Sequence, residues 1–175
     1  WDTRRPISTR PSIVDTRSRV GDWEADTIIG RRQSGAILSL VERHSCYCLL
    51  QKVANKSPST LAEAACALLM PLKDKVLTIT SDNGFEFRSH ETIAKRLDAD
   101  FFFADPYSSW QRGTNENTDG LVRQYFPKKT DFSFLSDHDI QFVNDRLNNR
   151  PRKCLGFRTP NEVFFNHFVA LITRI

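Results

Sequence analysis

The sequence lacks any apolar run long enough to cross a bilayer. Its uninterrupted apolar stretches, such as residues 64–70 and 101–104, fall far short of the roughly 20 residues a spanning helix needs. The first twenty residues are polar and arginine-rich with no apolar core, so they do not read as a secretory signal peptide. The chain opens on Trp1 rather than Met, and the expectation is a fragment of a longer protein. Cysteine is sparse, at positions 46, 48, 66 and 154. Cys46 and Cys48 form a C-x-C pair in a strand-like run, where alternation would put both on one face. His44 is close by, but no second C-x-x-C or H-x-x-x-H completes a zinc site. The thiols therefore read as buried and free, in a reducing, cytoplasmic setting. There is also no internal repeat and no low-complexity tract.

What is present describes an ordinary globular chain, 39% hydrophobic and 26% charged, long enough at 175 residues for one well-buried core. Charge is unevenly spread. Residues 1–20 carry five bases against two acids, 21–120 eleven against fourteen, and 121–175 nine against five. An acidic middle between basic flanks suits a protein that holds cations centrally and a polyanion at its edges.

Residues 1–19 show no hydrophobic periodicity and read as a basic linker or arm, with the folded core expected over 20–175. Patterning predicts strands at 22–30, 36–42, 46–53, 76–80 and 101–103. It predicts helices at 57–70, 90–97, 114–126, 136–147 and 159–168. Ser57-Pro58 and Thr159-Pro160-Asn161-Glu162 carry helix start signals, the latter a capping box. Three consecutive strands followed by alternating β and α predict an α/β fold. Its mixed five-stranded sheet has three antiparallel strands, then parallel ones, with helices on both faces.

Three carboxylates stand out. Asp26 sits inside the first predicted strand among apolar neighbours, where an unpaired charge is costly. Asp82 follows a strand in Ser81-Asp82-Asn83-Gly84, at the strand end where ligands of open α/β folds collect; taken alone it is equally a turn former. Glu116 lies in the first turn of a predicted helix, where an acid is also simply dipole-favoured. Brought together, the three would repel strongly unless a divalent cation lay among them. An oxygen-only donor set points to Mg²⁺ or Mn²⁺ rather than zinc.

Three segments carry a resemblance. They are Gly21-Asp22-Trp23-Glu24-Ala25-Asp26-Thr27-Ile28-Ile29-Gly30, Thr80-Ser81-Asp82-Asn83-Gly84-Phe85-Glu86-Phe87, and Pro106-Tyr107-Ser108-Ser109-Trp110-Gln111-Arg112-Gly113-Thr114-Asn115-Glu116-Asn117. Residues 148–162 add a fourth match. With Glu116 placed 34 positions after Asp82, the chain resembles the integrase-core, or DDE, transposases, most closely the bacterial IS-thirty insertion-sequence family. The resemblance implies an RNase H-like fold and an enzyme that cuts DNA at insertion-sequence ends and transfers the strand. It further implies Asp26, Asp82 and Glu116 as ligands of two Mg²⁺ or Mn²⁺ ions when DNA is bound. The implied partners are transposon-end and target DNA, with a dimer or higher oligomer on DNA and no membrane. The family's N-terminal helix-turn-helix region is not in this chain, and the implied location is the bacterial cytoplasm, at the nucleoid during action. An RNase H-type nuclease and a non-catalytic DNA-binding or assembly module derived from a transposase are the alternatives.

Departures from the family pattern are Ala25, Gln111 and Asp119; the last either strengthens cation binding or points into solvent, and solvent is the expectation. Arg112, Arg123, Lys128, Lys129, Arg150, Arg152, Lys153 and Arg158 are candidate phosphate contacts. Asn115 and Asn117, beside Glu116, are candidates to orient it. Tyr107 and Trp110 are expected to anchor their loop, with base stacking as the other reading. His90 is expected to be structural.

Overall fold

The computed structural model describes residues 3–166. Six strands form one sheet: β1 (Arg5–Pro6), β2 (Asp22–Ile29), β3 (Ala36–Glu42), β4 (Cys48–Val53), β5 (Thr78–Ser81) and β6 (Asp100–Phe103), in the order β1-β6-β5-β2-β3-β4. The pairs β2–β3 and β3–β4 are antiparallel, while β2–β5, β5–β6 and β1–β6 are parallel. Helices α1 (Ile13–Thr16), α2 (Pro58–Leu69), α3 (His90–Leu97), α4 (Gly113–Tyr125), α5 (Asp137–Asn148) and α6 (Pro160–Phe164) complete it. The mixed sheet expected from patterning is present, with six strands rather than five.

The extra strand comes from the segment read as an arm. Arg5 and Pro6 pair with Phe102 and Phe103, a contact made by backbone and therefore without a hydrophobic signature. Val14 is fully buried, and Arg10 donates to Thr80 Oγ1 at 2.9 Å. Cys46 also departs from expectation. It sits in the β3–β4 turn at φ 58°, so only Cys48 belongs to the strand and the two do not share a strand face. The last predicted helix runs over Pro160–Phe164, and its expected end at 168 lies outside the described residues.

Alternation divides β2 and β3 between two cores. Trp23, Ala25, Leu38 and Leu40 face α2 and α3, joining Leu61, Leu69, Ile93 and Leu97. Ile28, Ile37 and Val41 face the other way, with Val122 of α4 and Ile140, Val143 and Leu147 of α5. Both faces of β3 are covered, which is why its seven residues are all buried. Caps set the helix starts: Ser57 Oγ accepts from Thr60 N at 3.2 Å, and Ser136–Asp139 and Thr159–Glu162 form capping boxes. At the outer edge of β4, Asn148 Oδ1 accepts from Cys48 N at 2.9 Å, and its Nδ2 donates to Cys48 O at 2.7 Å. Asn144 Oδ1 accepts from Leu50 N at 3.1 Å.

Candidate active site

The face of β2 opposite Trp23 is built from acids. Strand alternation aligns Asp22, Glu24 and Asp26, and the parallel register sets Asp22 beside Thr78 and Glu24 beside Thr80. Two residues further along each strand come Asp26 and Asp82, the latter just past the carboxyl end of β5. Arg112 joins them. Its Nη1 donates to Asp26 Oδ2 at 2.6 Å and its Nη2 to Asp82 Oδ2 at 3.4 Å. The residue is 8% exposed. Asp26 Oδ1 accepts from Thr27 N at 2.7 Å, and Asp82 Oδ1 from Gly84 N at 2.8 Å. Burial pushes the Asp26 carboxyl above its ordinary range, with Arg112 pulling it down and Asp82 pushing it further up. Burial works against the Arg112 charge too, but Asp26 and Asp82 outweigh it and hold the guanidinium above its usual pKa.

A further carboxylate lies within this field. Asp119, expected in solvent, is turned inward on α4. Its Oδ1 is buried without a hydrogen-bond partner, and burial, together with the charge of Asp26, pushes its pKa up to about 7. The helix is rotated so that Thr118 and Val122 pack down, which brings residue 119 to the rim of the acidic face. Glu116 is exposed on the same helix.

The position of α4 is fixed from below. Glu24 is fully buried, pairs with Arg43, and accepts from Asn115 N at 2.7 Å with its other oxygen. Asn115, also fully buried, accepts from Ser39 Oγ at 2.9 Å and donates from Nδ2 to Ser39 O at 3.3 Å. It therefore ties α4 to β3 rather than orienting Glu116 directly, and Asn117 is exposed. Sequence reading missed Glu24 and Arg43. The available signal was the alternation of acids in Asp22-Trp23-Glu24-Ala25-Asp26.

No protein-family model matches the chain. Over 161 residues it is 47% identical to the transposase for insertion sequence element IS4351 of Bacteroides fragilis, covering 92% of this chain and 49% of that protein. Over 159 residues it is 39% identical to the transposase InsI for insertion sequence element IS30A of Escherichia coli (strain K12), covering 90% of this chain and 41% of that protein. Its homologues are insertion-sequence transposases. The chain spans about half the length of these curated relatives. Among solved structures, the catalytic core domain of BIV integrase aligns with a TM-score of 0.63 at 21% identity, over 85% of this chain and 95% of that one. The fold is that of the integrase catalytic core, RNase H-like.

Around the acidic centre of this transposase-related core, the basic candidates divide. Lys128, Lys129, Arg150, Lys153 and Arg158 are exposed. Arg123 donates to Ile29 O at 2.8 Å and lies over the Phe132 ring. Arg152 is buried and donates to Leu147 O at 3.3 Å. Arg112 faces the two aspartates instead of the surface. Tyr107 and Trp110, expected to pack, are exposed, because their loop is held by Gln111, which receives from Asp105 N at 2.8 Å and donates to Asp105 Oδ2 at 2.9 Å. His90 is buried against Phe101 and Phe103, in a packing role.

Among the described residues no three His, Cys, Asp or Glu side chains stand together in a group that could hold a metal ion. The donor chemistry nevertheless fits one. Two carboxylates already share a cation, the Arg112 guanidinium, and the largely buried Asp119 carboxyl feels the charge of Asp26. All the donors are oxygens, as a hard divalent ion prefers. Among the described residues no helix is long and apolar enough to cross a membrane.

Proposed function

We propose that this chain is the catalytic core of a DNA transposase that cleaves strands at insertion-sequence ends and joins them to target DNA. The observation that carries the proposal is the convergence of Asp26 and Asp82, from adjacent parallel strands, on one cationic group. In this reading Asp26, Asp82 and Glu116 hold two Mg²⁺ or Mn²⁺ ions. Such ions, when bound, activate the attacking hydroxyl and stabilise the leaving 3′-oxygen.

The chain's own residues supply the rest. Asp26 gives a rigid anchor from mid-strand, held by the Thr27 amide. Asp82 comes from a turn, where the Gly84 amide orients it. Glu24 and Asn115 hold α4 on the sheet and with it the ledge bearing Glu116. Exposed Tyr107 and Trp110, in the loop before α4, offer faces on which unpaired bases at a cut end can stack. Lys128, Lys129, Arg150, Lys153 and Arg158 provide phosphate contacts. Arg5 and Pro6 extend the core's sheet, and DNA brings two copies together because two ends must be held at once.

The test is cleavage and strand transfer on a labelled, pre-nicked DNA end with Mn²⁺ or Mg²⁺, comparing the chain with Glu116→Gln. Metal-dependent joining that disappears in the variant supports the proposal. Cleavage without joining replaces it with a nuclease, and inactivity in both, also with the remaining length of the relatives restored, leaves a DNA-binding module.

A further inference from the structure

Arg112 is paired more loosely than Arg19 and Arg43, the arginines that hold the other two acids of this strand face. Arg19 grips Asp22 through two bonds of 2.9 and 3.0 Å. Arg43 pairs with Glu24, whose second oxygen receives the Asn115 amide. Both pairs are closed, with every partner committed. The Arg112 guanidinium instead reaches one aspartate at 2.6 Å and the other at only 3.4 Å, with a further bond to Ala25 O at 3.3 Å. The residue also ends a short 3-10 turn, Ser109–Arg112, immediately ahead of α4. A side chain added at neighbouring Gly113 would meet no atom within 4 Å, so there is open space at this junction.

We propose that Arg112 is a built-in competitor for the cation site: its guanidinium bridges Asp26 and Asp82 in the metal-free protein and has to leave before a divalent ion can bind there. This rests on the reading of Asp26 and Asp82 as metal ligands. One site cannot hold the guanidinium and a divalent ion together, since both would draw on the same two carboxylates. The ion therefore binds only the fraction of molecules in which the arginine has swung out, and its apparent affinity falls by that fraction. The acidic pair is meanwhile kept from repelling itself apart, which preserves the site's shape until an ion arrives.

The experiment is Mn²⁺ titration of the metal-free chain by calorimetry and by the paramagnetic resonance of free Mn²⁺. The wild type is compared with Arg112→Gln, Arg112→Lys and Asp82→Asn. Removing the competitor is expected to tighten Mn²⁺ binding about tenfold in Arg112→Gln and to lower the metal-free melting temperature. Guanidinium ion, far below denaturing concentrations, then weakens Mn²⁺ binding to Arg112→Gln but not to the wild type. Arg112→Lys, which keeps the charge without the fork, falls between the two and serves if the glutamine variant does not fold. Equal or weaker binding in folded position-112 variants, with Asp82→Asn still losing the ion, overturns the competitor and leaves the metal site standing. Absence of binding in every protein, or full binding in Asp82→Asn, overturns the metal reading itself and the competitor with it.

Discussion

Glu24 and Arg43 form an ion pair beneath the first turn of α4, with Glu24 fully buried and Arg43 nearly so. Arg43 also donates to Val14 O at 3.2 Å, so one pair links the N-terminal segment, the central strand and the helix that carries Glu116. Glu24→Gln removes the charge that compensates Arg43 and weakens the acceptor of the Asn115 amide. A loss of about 3–5 kcal/mol is expected, read as a lower midpoint in urea with an unchanged slope.

The N-terminal segment is part of the same cooperative unit. Val14 is fully buried and Arg10 reaches across to Thr80. Val14→Ala is expected to cost about 1–3 kcal/mol, measured by thermal unfolding. A dispensable arm would show no change.

Gly84 follows Asp82 with ordinary φ of −58°, so its requirement for glycine is spatial. A Cβ there would lie 2.8 Å from Asp82 Oδ1 and 2.7 Å from Glu86 Oε2. Glu86 is itself held by Thr27 Oγ1 at 2.8 Å and cannot yield freely. Gly84→Ala therefore moves Asp82, and strand transfer is expected to fall on the order of 100-fold with the fold retained. Unchanged activity would show that the exact place of this carboxylate does not matter.

Asp119 supplies a pH dependence. Its folded pKa of about 7 lies above the ordinary carboxylate value, through burial first and Asp26 second, while a hydrogen bond from Ser39 and the charges of Arg112 and Arg123 act in the opposite sense. The protonated form is the better tolerated in the folded chain. Relative stability is thus full below about pH 4 and is lost as pH rises through 7. Metal-free wild type is expected to lose on the order of 2–4 kcal/mol against Asp119→Asn across that window. Parallel stability profiles of the two proteins would refute the assignment.

Much of this arrangement is legible in the residues. The strands β2 to β6 announce themselves through β-branched and aromatic runs, and the helices through caps such as Ser57 and the Thr159–Glu162 box. The strand order alone suggests that Asp26 and Asp82 become neighbours. What escapes is held by groups with no pattern to read. Arg5 and Pro6 join the sheet through backbone atoms. Asp119 turns inward because the packing of Val122 sets the helix rotation, which a polar run such as Thr114 to Gly120 does not reveal. Arg112 looks like any basic residue beside a DNA site until the two aspartates are seen to surround it. Cys46 looks like strand until the turn needs a residue with positive φ.

The two asparagines of α5 have a consequence for assembly. By occupying the outward-facing amides of Cys48 and Leu50, Asn144 and Asn148 deny the first half of β4 to a foreign strand, where a bare edge would invite one. The sheet is sealed along that border by side-chain amides, at no expense in net charge. Any contact between copies of the chain along this stretch would then run through helical or loop surfaces rather than through a β-ribbon continued from one molecule into the next.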